Sequence, residues 1–246
     1  MTLGSDPTRA GLSYVWRAGS REIVIDRPII VGILNVTPNS FSDGGNFFAL
    51  DAALERCREM VDEGVDIIDV GAESTRPGAV PVDTPEEIAR ALPVIRGIRE
   101  LWPSSPISID TNKSEVASAA IDVGADIIND VSAMRLDPQM ALVAGRTQCG
   151  VILMHSRGGV AEMATYENAV YDDPVRDVID ELGSQLLLAE EAGVDRKSVV
   201  IDPGFGFSKR SEHSIEILRR LGQFLSFDVP VMVGVSRKRF VRESQR

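Results

Sequence analysis

Seven apolar runs in this chain each meet a residue able to do chemistry at or near their C-terminal end. Residues 29–34 run into Asn35, 67–70 enclose Asp69, and 107–109 are followed by Asp110. Residues 127–128 lead to Asn129, 151–154 to His155, 199–201 to Asp202, and 229–235 to Ser236-Arg237-Lys238. Asp110, Asn129, Asp202 and Lys238 offer two anionic acceptors, one mixed amide and one cation. That set suits a flat heterocycle bearing adjacent ring N–H and amino donors and a carbonyl acceptor. A carboxylate takes two donors in parallel, while an amide and an ammonium address the carbonyl and a ring nitrogen. Two other readings stay open. The polar residues cap the helices that follow, or Lys238 acts as a Schiff-base lysine, discharged by burial and by Arg237 and Arg239 but opposed by Asp202.

The loops after these runs are equally polar. Asn35-Val36-Thr37-Pro38-Asn39-Ser40-Phe41-Ser42-Asp43-Gly44-Gly45 holds more small polar groups than core packing asks for, and suits delivery of side chains and backbone N–H groups to a ligand. In Gly71-Ala72-Glu73-Ser74-Thr75-Arg76-Pro77-Gly78, Thr75 and Arg76 supply a hydroxyl and a fork of donors for a phosphate or carboxylate. The alternative there is a solvated loop with Glu73 and Arg76 paired. Asp202-Pro203-Gly204-Phe205-Gly206-Phe207 sets two rings beside an acid, either as a wall for a planar substrate or as plain core aromatics. His155 reads as a structural, hydrogen-bonded residue rather than a general base, and His213, at a helix start, as exposed. No His-rich set or carboxylate pair has the spacing of a dedicated metal cage. Asn35 could give one oxygen to a Mg²⁺ that arrives with a diphosphate, because that ion keeps its waters and leans on substrate oxygens. No serine stands in a nucleophile-elbow context, which removes support for Ser-His-Asp hydrolysis.

Elements able to position such residues follow from composition and pattern. The chain has 246 residues, 43% hydrophobic and 26% charged, as in a soluble globular protein, and one α/β barrel takes this length. A net charge of −11 argues against nucleic-acid or anionic-membrane partners. Cys57 and Cys149 lack metal or redox spacing and read as structural thiols of a reducing, cytoplasmic compartment. Neither a signal-peptide core nor a membrane-spanning apolar run is found. Residues 1–13 read as a flexible polar terminus and 14–246 as one domain, opening with a hairpin about Ala18-Gly19-Ser20. The short β-branched runs, apolar on both faces, predict parallel strands. Helices are predicted over 51–64, 84–101, 114–124, 173–193 and 211–225, three of them ending in Gly64, Gly124 or Gly193 followed by an aspartate two residues on. Repeated βα units predict a (β/α) barrel whose strand ends share one rim, with a doubly wound sheet as the competitor.

At these residues the chain resembles dihydropteroate synthase, a pterin-binding enzyme of folate biosynthesis and the target of sulfonamides. The resemblance rests on the two loops above, on Ser108-Ile109-Asp110-Thr111, Ile128-Asn129-Asp130-Val131-Ser132 and Leu153-Met154-His155, and on 202–207 and 234–238, and it spans about residues 14–240. It implies an α/β fold of the TIM (β/α)₈ type with an N-terminal hairpin, and a transferase reaction. The amine of p-aminobenzoate displaces pyrophosphate from 6-hydroxymethyl-7,8-dihydropterin diphosphate, and the pyrophosphate leaves first, so that a pterin cation awaits attack. Asp110, Lys238 and Arg76 are implied as catalytic. Asp110, Asn129, Met154, Asp202 and Lys238 are implied for the pterin, and Thr75 with Arg76 for a mobile loop that closes over the substrates. Phe41, Pro77, Phe207 and Ser236 are implied for p-aminobenzoate, and Asn35 for Mg²⁺, the implied cofactor. A buried anion such as Asp110 would stabilise positive charge on the ring, and Mg²⁺ would offset charge on the leaving group.

Asn39 and Ala72 depart from the Asp and Gly frequent in the family, and both are expected to be tolerated. The sequence stops at Arg246, ahead of the eighth strand, the Arg-x-His anion site and the last helix of the family. The expectation is a natural chain that continues, since an unclosed barrel leaves two sheet edges open. A homodimer through the late helices is implied for such a longer form. The remaining alternatives are a truncated or non-catalytic pterin-binding paralogue, and the methyltetrahydrofolate-binding barrel of corrinoid methyltransferases, which the Asn-Val-Thr-Pro loop and Ser236-Arg237-Lys238 fit less well.

Overall fold

In the structure, a computed structural model, residues 13–37, 45–74 and 81–243 are described. Gly19 and Ser20 turn the chain between β1 (Tyr14–Ala18) and β2 (Arg21–Ile25), an antiparallel pair with Ala18 opposite Arg21. Six parallel strands follow: β3 (Val31–Asn35), β4 (Ile67–Gly71), β5 (Ile107–Asp110), β6 (Ile127–Asp130), β7 (Gly150–Met154) and β8 (Val199–Asp202). Each lies beside its successor. That order is a barrel's, not that of a doubly wound sheet, whose strand order reverses at a switch point. β4, β6, β7 and β8 are buried at every position, which explains why they read as unbroken apolar runs rather than as alternating ones.

The helices are α1 (Gly45–Asp62), α2 (Thr84–Leu101), α3 (Ser114–Asp122), α4 (Gln139–Thr147), α5 (Pro174–Glu191), α6 (Ser211–Arg219) and α7 (Arg239–Glu243). Several elements differ from expectation, α1 among them, which begins at Gly45 rather than at residue 51. α4 was not foreseen: it has nine residues and ends on Gln148 in the left-handed region, without the glycine that marks a helix end. The helix expected over 211–225 stops at Arg219, and a 3₁₀ segment, Leu221–Phe227, continues from it. Residues 229–235 form no ladder strand. Their contact with β8 is a single bridge, Ile201 to Val231, because Pro230 has no N–H to donate and offers only its carbonyl to Ile201 N.

Three helix exits share one device. Gly64, Gly124 and Gly193 have φ of +88°, +113° and +92°, and each donates to the carbonyl three residues back. The next N–H returns five residues, from Val65 to Met60, Ala125 to Ala120 and Val194 to Ala189, which is the Schellman arrangement. The aspartates just beyond tie the N-terminal segment to the base of the sheet. Arg17 pairs with Asp195 (3.0 Å), Arg21 with Asp126 (2.7 Å) and Arg27 with Asp66 (2.6 Å). An apolar cluster of Trp16, Ala18, Ile67, Ile127, Ile152 and Val200 fills the same end. The main core lies between sheet and helices and includes Val70, Ile95, Ile98, Ile109, Leu153, Val178 and Leu182. The hairpin thus occupies the N-terminal end of the strands and leaves the C-terminal end to the polar residues.

Candidate active site at the C-terminal ends of the strands

Register brings the first of the expected residues into line. Asn35 is the Cα partner of Gly71, Gly71 of Asp110, and Asp110 of Asn129, so one row crosses four adjacent strands at their C-terminal ends. Gly71 leaves the middle of that row open. A Cβ built there would lie 3.5 Å from Asp110 Oδ2 and 3.7 Å from Asn35 Oδ1, so both side chains converge over the glycine. Farther round the sheet, Met154 is the Cα partner of Asp202.

The row is electrostatically tense. Burial, then the neighbouring carboxylates Asp69, Glu87, Asp130 and Glu73, push the Asp110 carboxyl well above the usual range. Asp69 is raised by burial too, against the pull of Asn129. Asn129 Nδ2 donates to Asp69 Oδ2 at 3.1 Å, and Asp69 Oδ1 is buried without a partner. Lys113 pairs with Glu73 and Glu87 rather than with Asp69 or Asp110. Acidic groups held this way accept a ligand that brings N–H donors or positive charge.

On the β8 side, burial pushes the Asp202 carboxyl up to about 6, moderated by a 2.7 Å bond from Gly204 N–H and by Lys238 and Lys209. Lys238 is lowered by burial, and Asp202 opposes the shift. Its Nζ stands 3.9 Å from the centroid of the Phe207 ring, a cation on a π face. Phe207 also packs against Met154, Val131 and Met163, which form a small apolar wall. Gly204 must be glycine: its φ is +70°, and a Cβ would fall 1.9 Å from His155 O. Ser236 lies exposed in the turn before Lys238. Phe41, Thr75, Arg76 and Pro77 lie outside the described residues.

His155 is buried and bonded on both ring nitrogens, to Glu181 Oε2 at 3.0 Å and to Lys209 Nζ at 2.7 Å. Burial and then Lys209 bring it down to about 4. His213 is half-buried rather than exposed, with its ring edge-on to Tyr171. Asp69 was expected among the strand-end residues without a role of its own, whereas Lys209 and Glu181 were not foreseen as site residues. Lys209 lies two residues past the Phe207 motif, and no local pattern marks it as buried.

Comparison with known proteins agrees with this geometry. The model of the family described as "Pterin binding enzyme" matches residues 31–245. The dihydropteroate synthase of Bacillus subtilis is 43% identical over 217 residues, 88% of this chain and 72% of that protein. A probable bifunctional folylpolyglutamate synthase/dihydropteroate synthase of Haloferax volcanii is 48% identical over 92% of this chain, which spans only 25% of that protein's length. The solved structure of Xanthomonas albilineans dihydropteroate synthase with 4-aminobenzoic acid superposes with a TM-score of 0.86 at 39% identity, covering 95% of this chain and 82% of that one. This chain therefore belongs to the pterin-binding enzyme family, in its dihydropteroate synthase branch.

Proposed function

We propose that this chain catalyses dihydropteroate synthesis. The amine nitrogen of p-aminobenzoate bonds to the exocyclic methylene of 6-hydroxymethyl-7,8-dihydropterin diphosphate, the carbon–oxygen bond to the diphosphate breaks, and the amine gives up one proton. The observation that carries this reading is the row Asn35–Gly71–Asp110–Asn129, with Asn35 and Asp110 converging over a residue that has no side chain. An amide facing a diphosphate and an acid facing a ring need that proximity, because the bond that breaks joins the two.

In this reading Asp110 and Asp202 take the ring N–H and amino donors, Asn129 and Lys238 the carbonyl and a ring nitrogen, and Met154 lines the pocket. Asp110 also faces the positive charge that develops as the diphosphate leaves, and such preorganised charge is the larger part of catalysis at such centres. Phe207 and Ser236 border the p-aminobenzoate side, with Phe41 and Pro77 assigned there from the resemblance. Thr75 and Arg76 are assigned to the diphosphate loop in the same way.

Mg²⁺ belongs to the same proposal. Among the described residues no three His, Cys, Asp or Glu form a cluster able to hold a metal, and Asn35 offers one exposed amide oxygen. That donor set fits an ion that keeps waters and takes its other oxygens from a substrate diphosphate. Bound there, the ion would offset charge on the leaving group. A reducing, cytoplasmic setting fits the thiols: Cys57 and Cys149 are free and buried, and burial pushes both up to about 11. No helix among the described residues is long and apolar enough to cross a membrane.

The test is pyrophosphate release from both substrates with Mg²⁺. Release that requires p-aminobenzoate supports the proposal. Pterin binding measured by calorimetry, with no turnover, makes the chain a binding module instead.

A further inference from the structure

Lys209 is among the most deeply buried residues of the chain, 1% exposed, and the chemistry described above does not use it. Its Nζ shares its N–H groups among four acceptors, His155 Nδ1 at 2.7 Å, Gly204 O and Phe207 O at 3.1 Å and His155 O at 3.3 Å. A carboxylate only accepts, so Glu181 accepts from the N–H of His155 Nε2, and Nδ1 is left to accept from Nζ. Arg157 holds Glu181 through its guanidinium and lies 3.9 Å over the Tyr171 ring, while Tyr171 Oη donates to Ser208 O at 2.9 Å. Ser208 Oγ and the backbone of Arg157 bond to each other in both directions. One polar network thus wraps the outer side of residues 202–209, whose inner side carries Asp202 and Phe207.

That segment holds one costly residue: Ser208 stands at φ +47°, while Gly204 and Gly206, at +70° and +73°, take the left-handed region freely. Backbone of this kind persists where its surroundings over-determine it. An apolar side chain in place of Lys209 would spare the desolvation of a buried charge, so stability alone does not call for a cation there. What an apolar residue could not do is hold three carbonyls and an imidazole at fixed distances from one atom.

We propose that Lys209 is a positioning residue for pterin recognition, locking the Gly204–Phe207 backbone onto His155 so that Asp202, and Lys238 on the Phe207 ring, keep the geometry that the heterocycle requires. The proposal rests on the reading that the Asp202–Lys238 side binds the pterin.

Calorimetric titration of the full chain with 6-hydroxymethylpterin tests it, using Lys209→Met, His155→Asn and His155→Leu. Asparagine keeps an acceptor oxygen for Nζ where Nδ1 stood and drops the Glu181 bond, whereas leucine drops both. Lys209→Met and His155→Leu are expected to raise Kd about 10-fold or more, the scale of a lost hydrogen bond to a charged group, with His155→Asn close to wild type. A merely structural role would lower the binding stoichiometry of each variant and leave Kd unchanged, and that result overturns the proposal. If Lys209→Met does not fold, the two His155 variants decide: equal Kd values for them overturn it. A wild-type chain that binds no pterin overturns the functional reading itself, whereas normal wild-type binding with unaltered variants overturns only the role of Lys209.

Discussion

Asn129 Nδ2 donates to Asp69 Oδ2 across 3.1 Å in the buried floor of the sheet, and this one bond orients the amide that completes the Asn35–Asp110 row. One Nδ2 proton is thereby committed to Asp69, and the direction of the other, the donor left for the pterin carbonyl, is fixed with it. Asp69→Asn removes the preference, because an amide partner can donate or accept. Pterin affinity is expected to fall by about 10-fold, the scale of a misdirected hydrogen bond in a buried polar site. Thermal stability is expected not to fall, since the substitution also removes a buried carboxyl whose Oδ1 lacks a partner. Calorimetry together with a thermal melt checks both halves, and an unchanged Kd removes Asp69 from the site.

Asp110→Asn keeps the shape of the row and deletes its charge. Turnover is expected to drop by ~10²-fold or more, as when a single electrostatic stabiliser is removed from a reaction centre. Single-turnover measurement at saturating substrate isolates the step. A rate near wild type would show that positive charge does not develop against this residue.

Asp202 makes a pH prediction of defined sign. Its carboxyl rises from 3.8 to about 6 in the folded chain, so its protonated form favours folding. That contribution is complete below pH 3.8 and disappears as pH rises through about 6. Asp202→Asn should therefore be about 1–3 kcal/mol more stable than wild type at pH 8, because folding there must hold a buried carboxylate that the unfolded chain leaves in water. At pH 4 the two should be nearly equal. The same protonation blocks the acceptor needed by the pterin, so kcat/KM of the wild type should fall as pH drops through about 6. Urea titrations at the two pH values and a pH–rate profile read the two effects separately.

How much of this was legible in the sequence depended on where each signal resides. The glycine–aspartate exits at 64–66, 124–126 and 193–195 could be read directly, because a left-handed C′ residue and the acid beyond it are local features. α2 was bounded correctly at Thr84 and Leu101, and its N-cap is Asp83, whose Oδ1 accepts from Glu86 N–H. α4 escaped notice because its termination on Gln148 and the fit of Gly145 beneath Ala192 O are tertiary facts. The strand-end residues Asn35, Asp110, Asn129 and Asp202 stood out by type and place. Lys209 did not, since one of its partners, His155, is 54 residues away and the others are carbonyls that carry no sequence signature.

The hairpin at the opposite end offers a control for the site variants. Trp16 is 3% exposed, and its indole N–H donates to Ser198 O at 2.8 Å. Trp16→Ala is expected to cost about 3–5 kcal/mol through the cavity it leaves and the lost bond. Pterin affinity per folded molecule should stay unchanged, because the hairpin meets the strands at their N-terminal ends. A denaturant titration with calorimetry in native buffer checks this separation of stability from binding.

A last prediction concerns a buried ion pair beside the loop assigned to the diphosphate. Lys113 Nζ bonds to Glu87 Oε2 at 2.5 Å, to Glu73 Oε2 at 2.9 Å and to Val82 O at 2.9 Å. Glu87 is wholly buried and its Oε1 has no partner, so Lys113 is what makes that charge tolerable. Lys113→Met strands the carboxylate and is expected to destabilise the chain by about 3–5 kcal/mol, the scale of a broken buried pair. Lys113→Met with Glu87→Leu removes both charges and should recover most of the loss, as replacement of buried pairs by apolar residues often does. Both variants still lose the link from Lys113 to Glu73 and Val82, which flank residues 75–80. Denaturant titrations of the single and double variants give the stability term. KM for the pterin diphosphate, raised equally in both while stability differs, would assign the Lys113 bonds to Glu73 and Val82 to substrate binding rather than to folding.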